Sequence, residues 1–504
     1  MTAAATVERF LGDEAATARL GEDLAMALAP GDVLALSGDL GAGKSTLARA
    51  LIRALADDET LDVPSPTFTL VQSYDTSLPV HHFDLYRLGS AAELDELGFD
   101  EALATGAALV EWPDRAEGLL PASTVVVELE HKGEGRLARL SGTGAPFRRI
   151  SRSLALRAFL EGCGWGLARR RRFVGDASAR SYEIVSLPGQ PARILMNSPE
   201  LVLGPPVRDG KPYALIAHTS RAVSAFVGID HALAAAGVSV PEIHAQDLDQ
   251  GFLLISHLGS GNFLDADGKP VAERYAAAAE LLAMMHARQW PYRLEAAPGT
   301  FHDVPPFDRD AMMIEAELLV DWYVPAISGG PASDALRQGY SRHWDALISR
   351  LDARDTTLML RDFHSPNIIW RGELQGHDRL GIIDFQDALV GPPAYDVASL
   401  AMDARVTVPP KIETATLEAY IAARHAAGTF DEAAFRESYA IMAAQRNSKI
   451  LGIFVRLDRR DGKPAYLKHL PRIRDYLRRA LSHPALAALR DFYGEHGLLE
   501  ERTL

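Results

Sequence analysis

Two complete phosphoryl-transfer signatures of unrelated design lie in one chain of 504 residues, and together they dictate a fold of more than one domain. The first is Gly38-Asp39-Leu40-Gly41-Ala42-Gly43-Lys44-Ser45, a full P-loop. The second is Arg361-Asp362-Phe363-His364-Ser365-Pro366-Asn367, followed by Asp384-Phe385-Gln386. The first motif demands a strand, a glycine turn and a helix, so that backbone N–H groups close around a phosphate. The second demands a loop carrying an Asp, an Asn five positions on, and a metal-binding Asp after an apolar strand. One active site needs only one such device. The chain reads as an α/β P-loop NTPase domain fused to an α+β, two-lobed kinase-like domain.

Length permits two or three domains. A formal net charge of −15 argues against a general nucleic-acid coat protein, because neutralising phosphates takes surplus Lys and Arg. Cys163 is the only cysteine, which excludes an intramolecular disulfide. There is no basic segment followed by an apolar one at the start, and no run of 18 apolar residues, so a cytoplasmic protein without a membrane span is expected.

Val33–Ser37 reads as a buried strand feeding the P-loop, and Thr46–Ile52 as the helix after it. Further strands are expected at 69–74, 80–84, 107–111 and 124–129, in a mostly parallel sheet. The small-residue segment 141–146 marks a boundary. The expected division is 1–145 for the P-loop domain, 146–172 for a linker and leading helix, 173–260 for a small β-rich lobe and 261–504 for a helical lobe. The run Arg169-Arg170-Arg171-Arg172 is expected on a solvated helix face.

At the first site, Gly38, Gly41 and Gly43 let the backbone approach a nucleotide, with Ala42 and Thr46 completing the cradle. Lys44 supplies charge at the β/γ-phosphates and Ser45 an oxygen for Mg²⁺. No guanine-reading motif is present, which favours ATP. Thr67 lies in Ser65–Leu70, where a switch segment belongs. Asp84 and Glu111 each end a strand, the latter before Trp112-Pro113. This constellation, over residues 8–140, resembles the TsaE family, the ATPase subunit of the bacterial machinery that makes threonylcarbamoyladenosine in tRNA. The resemblance implies nucleotide binding by Gly41 to Thr46, with Thr17 and Arg136 flanking it. It implies a sensing role for Thr67, assistance to metal or water by Asp84, and action at the metal or attacking water by Glu111. It also implies TsaB- and TsaD-like partner subunits, with tRNA reached only indirectly.

At the second site, Asp362 accepts or orients an acceptor hydroxyl, while Asn367 and Asp384 bind Mg²⁺. Gly175–Tyr182, Val240–Ile243, Phe252–Ile255 and Gly391–Asp396 resemble the aminoglycoside phosphotransferase superfamily, over residues 155–480. The resemblance implies that Ser178 and Arg180 touch the nucleotide. Met196 stands where the ATP-pairing Lys of that superfamily belongs, leaving Arg193 or Arg180 as substitutes, or a weakened enzyme. Ile194–Met196, Asp321–Tyr323, Gln445–Phe454 and Tyr466–Arg472 are similar to the anomeric kinases of N-acetylmuramic acid and N-acetylglucosamine. An amino-sugar kinase serving cell-wall recycling is implied. An antibiotic-modifying kinase and a degenerate nucleotide-binding module are the alternatives. Gln445, Arg446 and Asn447 either read the sugar or lie on a helix surface.

Overall fold

The computed structural model describes residues 5–90, 93–116, 118–173 and 180–502. It divides into two compact units: Met1–Ser198 with His244–Ser256, and Pro199–Ile243 with His257–Leu504.

The first unit opens with β1 (Ala5–Leu11), α1 (Glu14–Ala27), β2 (Val33–Ser37) and α2 (Lys44–Ala56). β3 (Val71–Tyr74), β4 (Val80–Asp84), the short α3 (Glu93–Glu96) and α4 (Phe99–Thr105), β5 (Ala107–Glu111), β6 (Val125–Lys132) and β7 (Gly135–Gly142) follow. The strands form one sheet in the order β1-β7-β6-β2-β5-β4-β3. β2 is apolar and buried from Val33 to Leu36 because both faces are covered. Leu34 and Leu36 join a core with Leu47 and Leu51 of α2, and Val33 joins Phe83, Phe99 and Val110 on the other face.

The sheet is mixed, not mostly parallel. β2 runs parallel to β5 and β6, and β4 to β5, but β3/β4, β6/β7 and β1/β7 are antiparallel. Only two residues link β6 to β7, and Gly133 there has a φ of 61°. So short a link closes a hairpin and cannot make the crossover that a parallel pair needs.

The helix expected from about 152 begins at Gly144: α5 spans Gly144–Gly162. The arginine run is not on a solvated helix. It is the strand β8 (Arg169–Phe173), the edge of a second sheet with β9 (Ser181–Ser186), β10 (Arg193–Asn197) and the strands Phe252–Ser256 and Ile243–Asp247. Arg170 is 1% exposed. It meets Glu183 through Nε and Nη2 at 2.6 and 2.8 Å, and Asp23 of α1 through Nη1 at 2.7 Å. Arg157 of α5 donates to the same Asp23 at 2.9 Å. The burial is tolerable because each charge finds an opposite one.

The second unit is chiefly helical. Its longest helix, Glu432–Arg459, starts at Asp431, whose carboxylate accepts from Ala434 N at 2.9 Å. It is buried without a break from Ser438 to Gly452. Gly452 permits that, since a Cβ there would come within 2.2 Å of the Leu318 carbonyl. Two short antiparallel strand pairs, Thr357–Met359 with Leu389–Gly391 and, between them in the chain, Ile368–Trp370 with Leu380–Ile382, carry the catalytic segments. Among the described residues no helix is long and apolar enough to cross a membrane.

Candidate active sites

The P-loop turns between β2 and α2 with Gly38, Gly41 and Gly43 all at positive φ. A side chain at Gly38 would put Cβ within 2.3 Å of the Leu129 carbonyl, and one at Gly43 within 3.0 Å of Arg136 Nε. Beside the loop lies a cavity of about 370 Å³, whose walls include Gly41, Gly43, Ser45, Thr46, Thr67 and Arg136. Asp84 and Glu111 line it as well. Lys44 Nζ donates to the Gly38 and Asp39 carbonyls at 2.7 and 2.9 Å and sits 3.9 Å from the centre of the Trp112 ring. Burial lowers the Lys44 ammonium, and Glu111, Asp84 and Asp39 offset part of that.

Glu111, at the end of β5, accepts from Ser45 Oγ at 3.1 Å and meets His82 Nε2 at 3.0 Å. Asp84 accepts from Ser65 Oγ at 3.2 Å and Tyr86 N at 3.1 Å. Ser45, Glu111 and Asp84 thus present hard oxygen donors around one cavity. That suits Mg²⁺, which keeps waters and phosphate oxygens and takes few protein ligands. Arg136 Nε is buried without a hydrogen-bond partner. Ala42 is buried inside the loop. Thr17 does not reach the cavity: it is fully buried in α1, its hydroxyl donating to Asp13 O at 3.2 Å, one helical turn back. His82 is a partner of Glu111 that the sequence reading did not single out. Its period-2 position opposite Leu109 in the β4/β5 register was the available signal.

In the second unit Arg361 and Asp384 both hold left-handed backbone, with φ of 69° and 59°. Asp396 fixes the first of these, accepting Leu360 N at 2.7 Å and Arg361 N at 2.8 Å. It therefore orders the catalytic loop. Asn367 Nδ2 donates to Asp362 O at 2.9 Å and to Asp384 Oδ2 at 3.3 Å, while Gln386 Nε2 donates to Asp384 Oδ1 at 2.8 Å. Asp362, Asn367 and Asp384 are thereby drawn together, and the last two offer oxygen ligands suited to Mg²⁺. Burial would raise the Asp362 carboxyl, but Lys449, His364, Arg361 and Arg446 outweigh it and hold the group below its ordinary range.

Sequence reasoning did not find the charge cluster behind Asp362. Glu315, wholly buried, accepts from Lys449 Nζ at 2.7 Å and from Arg361. Asp403 accepts Ser365 N at 2.9 Å and so braces the catalytic loop. Gln445, Arg446 and Asn447 are all buried, so they do not form a helix surface.

In the second sheet of the first unit, Met196 is fully buried. Arg193, three residues earlier, projects to the opposite face by strand alternation. Its guanidinium lies 4.3 Å from the centre of the Trp165 ring. Arg193 is therefore no substitute for a lysine at 196. Arg180 immediately precedes β9. Ser178 lies outside the described residues.

Residues 11–139 match the family model of the threonylcarbamoyl adenosine biosynthesis protein TsaE, and residues 169–437 that of the phosphotransferase enzyme family. The chain is 34% identical over 362 residues to an N-acetylmuramate/N-acetylglucosamine kinase of Caulobacter vibrioides, covering 70% of this chain and 98% of that protein. A Pseudomonas putida protein of the same name is 36% identical over 54% of this chain and 77% of its own length. The tRNA threonylcarbamoyladenosine biosynthesis protein TsaE of Rickettsia felis is 42% identical over 25% of this chain and 74% of its own length. The chain therefore belongs to two families, TsaE over its first part and the N-acetylmuramate/N-acetylglucosamine kinases of the phosphotransferase enzyme family over the rest, and is a P-loop ATPase joined to a small-molecule kinase.

Proposed function

We propose that the chain is a bifunctional cytoplasmic enzyme that uses ATP and Mg²⁺ at both sites. The P-loop domain serves tRNA threonylcarbamoyladenosine formation as an ATPase subunit, with TsaB- and TsaD-like partners and tRNA reached through them. The kinase domain phosphorylates N-acetylmuramate or N-acetylglucosamine at the anomeric hydroxyl, in the recycling of cell-wall sugar. The observation that carries the second half is the assembled catalytic loop, in which Asp396 holds the Leu360 and Arg361 amides and Asn367 ties Asp362 to Asp384. The similarity to N-acetylmuramate/N-acetylglucosamine kinases supports an amino sugar as the acceptor.

Asp362 takes the proton of the anomeric hydroxyl as that oxygen attacks the γ-phosphorus of ATP. Asp396 holds the backbone that aims it. Asn367 and Asp384 would hold Mg²⁺, which neutralises charge on the phosphates. In the other domain Lys44 and the loop amides bind the β/γ-phosphates. Glu111, oriented by His82, positions the attacking water beside Ser45.

The test is ATP consumption and product analysis with N-acetylmuramic acid, N-acetylglucosamine or kanamycin. A sugar 1-phosphate should form and be lost in Asp362→Ala, while hydrolysis without sugar should be lost in Lys44→Ala. Stimulation by kanamycin alone would reject the amino-sugar assignment, and silence with all three acceptors would reject kinase activity on any of them.

A further inference from the structure

Gln386 stands where a protein kinase carries the glycine of its D-F-G triplet, so a side chain occupies a place that the protein kinases leave bare. It is 3% exposed. Its Nε2 donates to Asp384 Oδ1 at 2.8 Å and to Asp387 Oδ2 at 3.3 Å. Two carboxylate acceptors fix that end of the amide as the nitrogen. The other end, Oε1, is a buried acceptor with no hydrogen-bond partner among the described residues. An unmet buried acceptor is costly, and a donor brought by a ligand relieves it.

Gln386 forms part of the wall of a cavity of about 280 Å³. Other walls are His218, Ser220, Arg221 and Ser224, around the start of the helix Val223–Ala235, and His302 of the strand Thr300–Asp303. The volume lies just below the usual range of about 300–1,000 Å³ for small-molecule sites, which suits a small ligand or one end of it. His302 Nε2 is a second buried atom without a partner, and burial lowers that imidazole, so it stays neutral at pH 7. The charged groups of the wall are already matched. His218 Nε2 meets Asp308 at 2.8 Å, and Arg221 Nη2 meets Glu200 at 2.7 Å. Among the described residues no Asp or Glu lines the cavity. It offers hydroxyls, an imidazole and an amide oxygen, but no spare cation for a phosphate and no carboxylate for an amine. What fits such a wall is neutral and carries hydrogen-bond donors.

The cavity also adjoins the chemistry. A donor bonded to Gln386 Oε1 stands two hydrogen bonds and one amide group from Asp384 Oδ1, at most ~8 Å. Ser220 N donates to Asp387 Oδ1 at 2.7 Å, and that carboxylate acts in turn on Arg361 of the catalytic loop. We infer that this cavity holds the part of the acceptor sugar next to its reacting carbon, and that Gln386 is a specificity-determining residue whose Oε1 accepts from the 2-acetamido N–H. This rests on the amino-sugar kinase reading above. The acetamido group of such a sugar is neutral, carries a donor and sits beside the anomeric carbon. One side chain then serves both ends of the reaction: Nε2 steadies Asp384, and Oε1 seats the sugar.

The experiment measures kcat/KM for N-acetylglucosamine, glucose and 2-deoxyglucose, which place an N–H, an O–H and no donor at C2. The wild-type chain should use 2-deoxyglucose about 10–100-fold less well than N-acetylglucosamine, with glucose between, because a buried acceptor is left unmet. In Gln386→Met, of nearly the same volume, that ratio should shrink about 10-fold. Loss of the tie to Asp384 alone would slow all three sugars alike and leave the ratio where it was. Ala222→Trp changes an exposed wall residue and is easy to fold around. Its ring would fill the cavity and should raise KM for N-acetylglucosamine about 10-fold with kcat kept. An unchanged ratio in Gln386→Met would overturn the inference and leave Gln386 as a support for Asp384 only. A wild-type KM in Ala222→Trp would equally place the sugar elsewhere. Absence of turnover of both N-acetylglucosamine and N-acetylmuramic acid by the wild-type chain would overturn the amino-sugar reading and this inference with it.

Discussion

Asp230 should make the protein more stable when its charge is removed, and by an amount that depends on pH. It lies in the apolar helix Val223–Ala235, is 3% exposed, and its Oδ2 has no hydrogen-bond partner among the described residues. Burial alone pushes its carboxyl from 3.8 up to about 8. Between those values the folded chain holds a proton that the unfolded chain has released, so stability falls as pH rises through that window. The slope is about 1.4 kcal/mol per pH unit for one proton. From pH 4 to pH 7 that is about 3 units, or roughly 4 kcal/mol. Asp230→Asn has the same shape and does not titrate. Burying its amide adds a penalty of about 1–3 kcal/mol, but that penalty is the same at every pH. The variant-minus-wild-type difference in urea unfolding free energy should therefore climb by about 4 kcal/mol from pH 4 to pH 7 and level off above pH 8. Terms common to both chains cancel in that difference. A flat difference would refute the reasoning, and a variant that loses ground as pH rises would mean that the carboxylate has an ionic partner.

Gly38→Ala should cost more than about 2 kcal/mol and remove nucleotide binding at the P-loop only, since Cβ would meet the Leu129 carbonyl at 2.3 Å with φ at 131°; a melting curve and loss of one of two ATP sites in isothermal titration check both. Arg170→Met should cost about 3–5 kcal/mol because Asp23 and Glu183 stay buried without it. Restoration of the melting temperature by adding Glu183→Leu would support that cause, and a single variant as stable as the wild type would exclude it. Asp396→Asn should lower sugar-dependent kcat about 10–100-fold by loosening Leu360 and Arg361, the worth of one charge-assisted hydrogen bond, and leave sugar-independent hydrolysis at the P-loop alone. Equal loss of both activities in separate assays would count against a local role.

Both phosphate devices were legible because their geometry is written in contiguous residues. Gly38 to Ser45 must close on one phosphate, and Asp362, Asn367 and Asp384 must converge within one loop and one hairpin. Asp84 and Glu111 were legible for a related reason: each is the acid that ends a strand, and β4 and β5 pair in register so that the two are partners. What stayed hidden was assembled from distant parts. Glu315 meets Lys449 across 134 positions and Arg361 across 46. No local period marks such a cluster, and each member taken singly reads as surface charge. Thr17 shows the converse. A family position suggested the nucleotide, yet its neighbours Leu20 and Leu24 place that face of α1 in the core.

The arginine run was misread because four identical letters conceal a period of two. In β8 alternate side chains part to opposite faces. Arg169 and Arg171 turn to Asp57 at 2.9 and 3.2 Å, exposed pairs of the kind worth under about 1 kcal/mol each. Arg170 and Arg172 turn the other way. Arg170 closes the buried bridge from Asp23 to Glu183. Arg172 Nη2 donates to the carbonyls of Ala25, Met26 and Leu28, at the end of α1. That end needs a cation, for α1 has no basic residue in its own last turn. The strand thus supplies the helix's missing C-terminal charge, and the P-loop domain is finished by residues beyond its own family match, which ends at residue 139. A chain cut there would leave Asp23 buried without Arg157 and Arg170, and the carbonyls of α1 without Arg172.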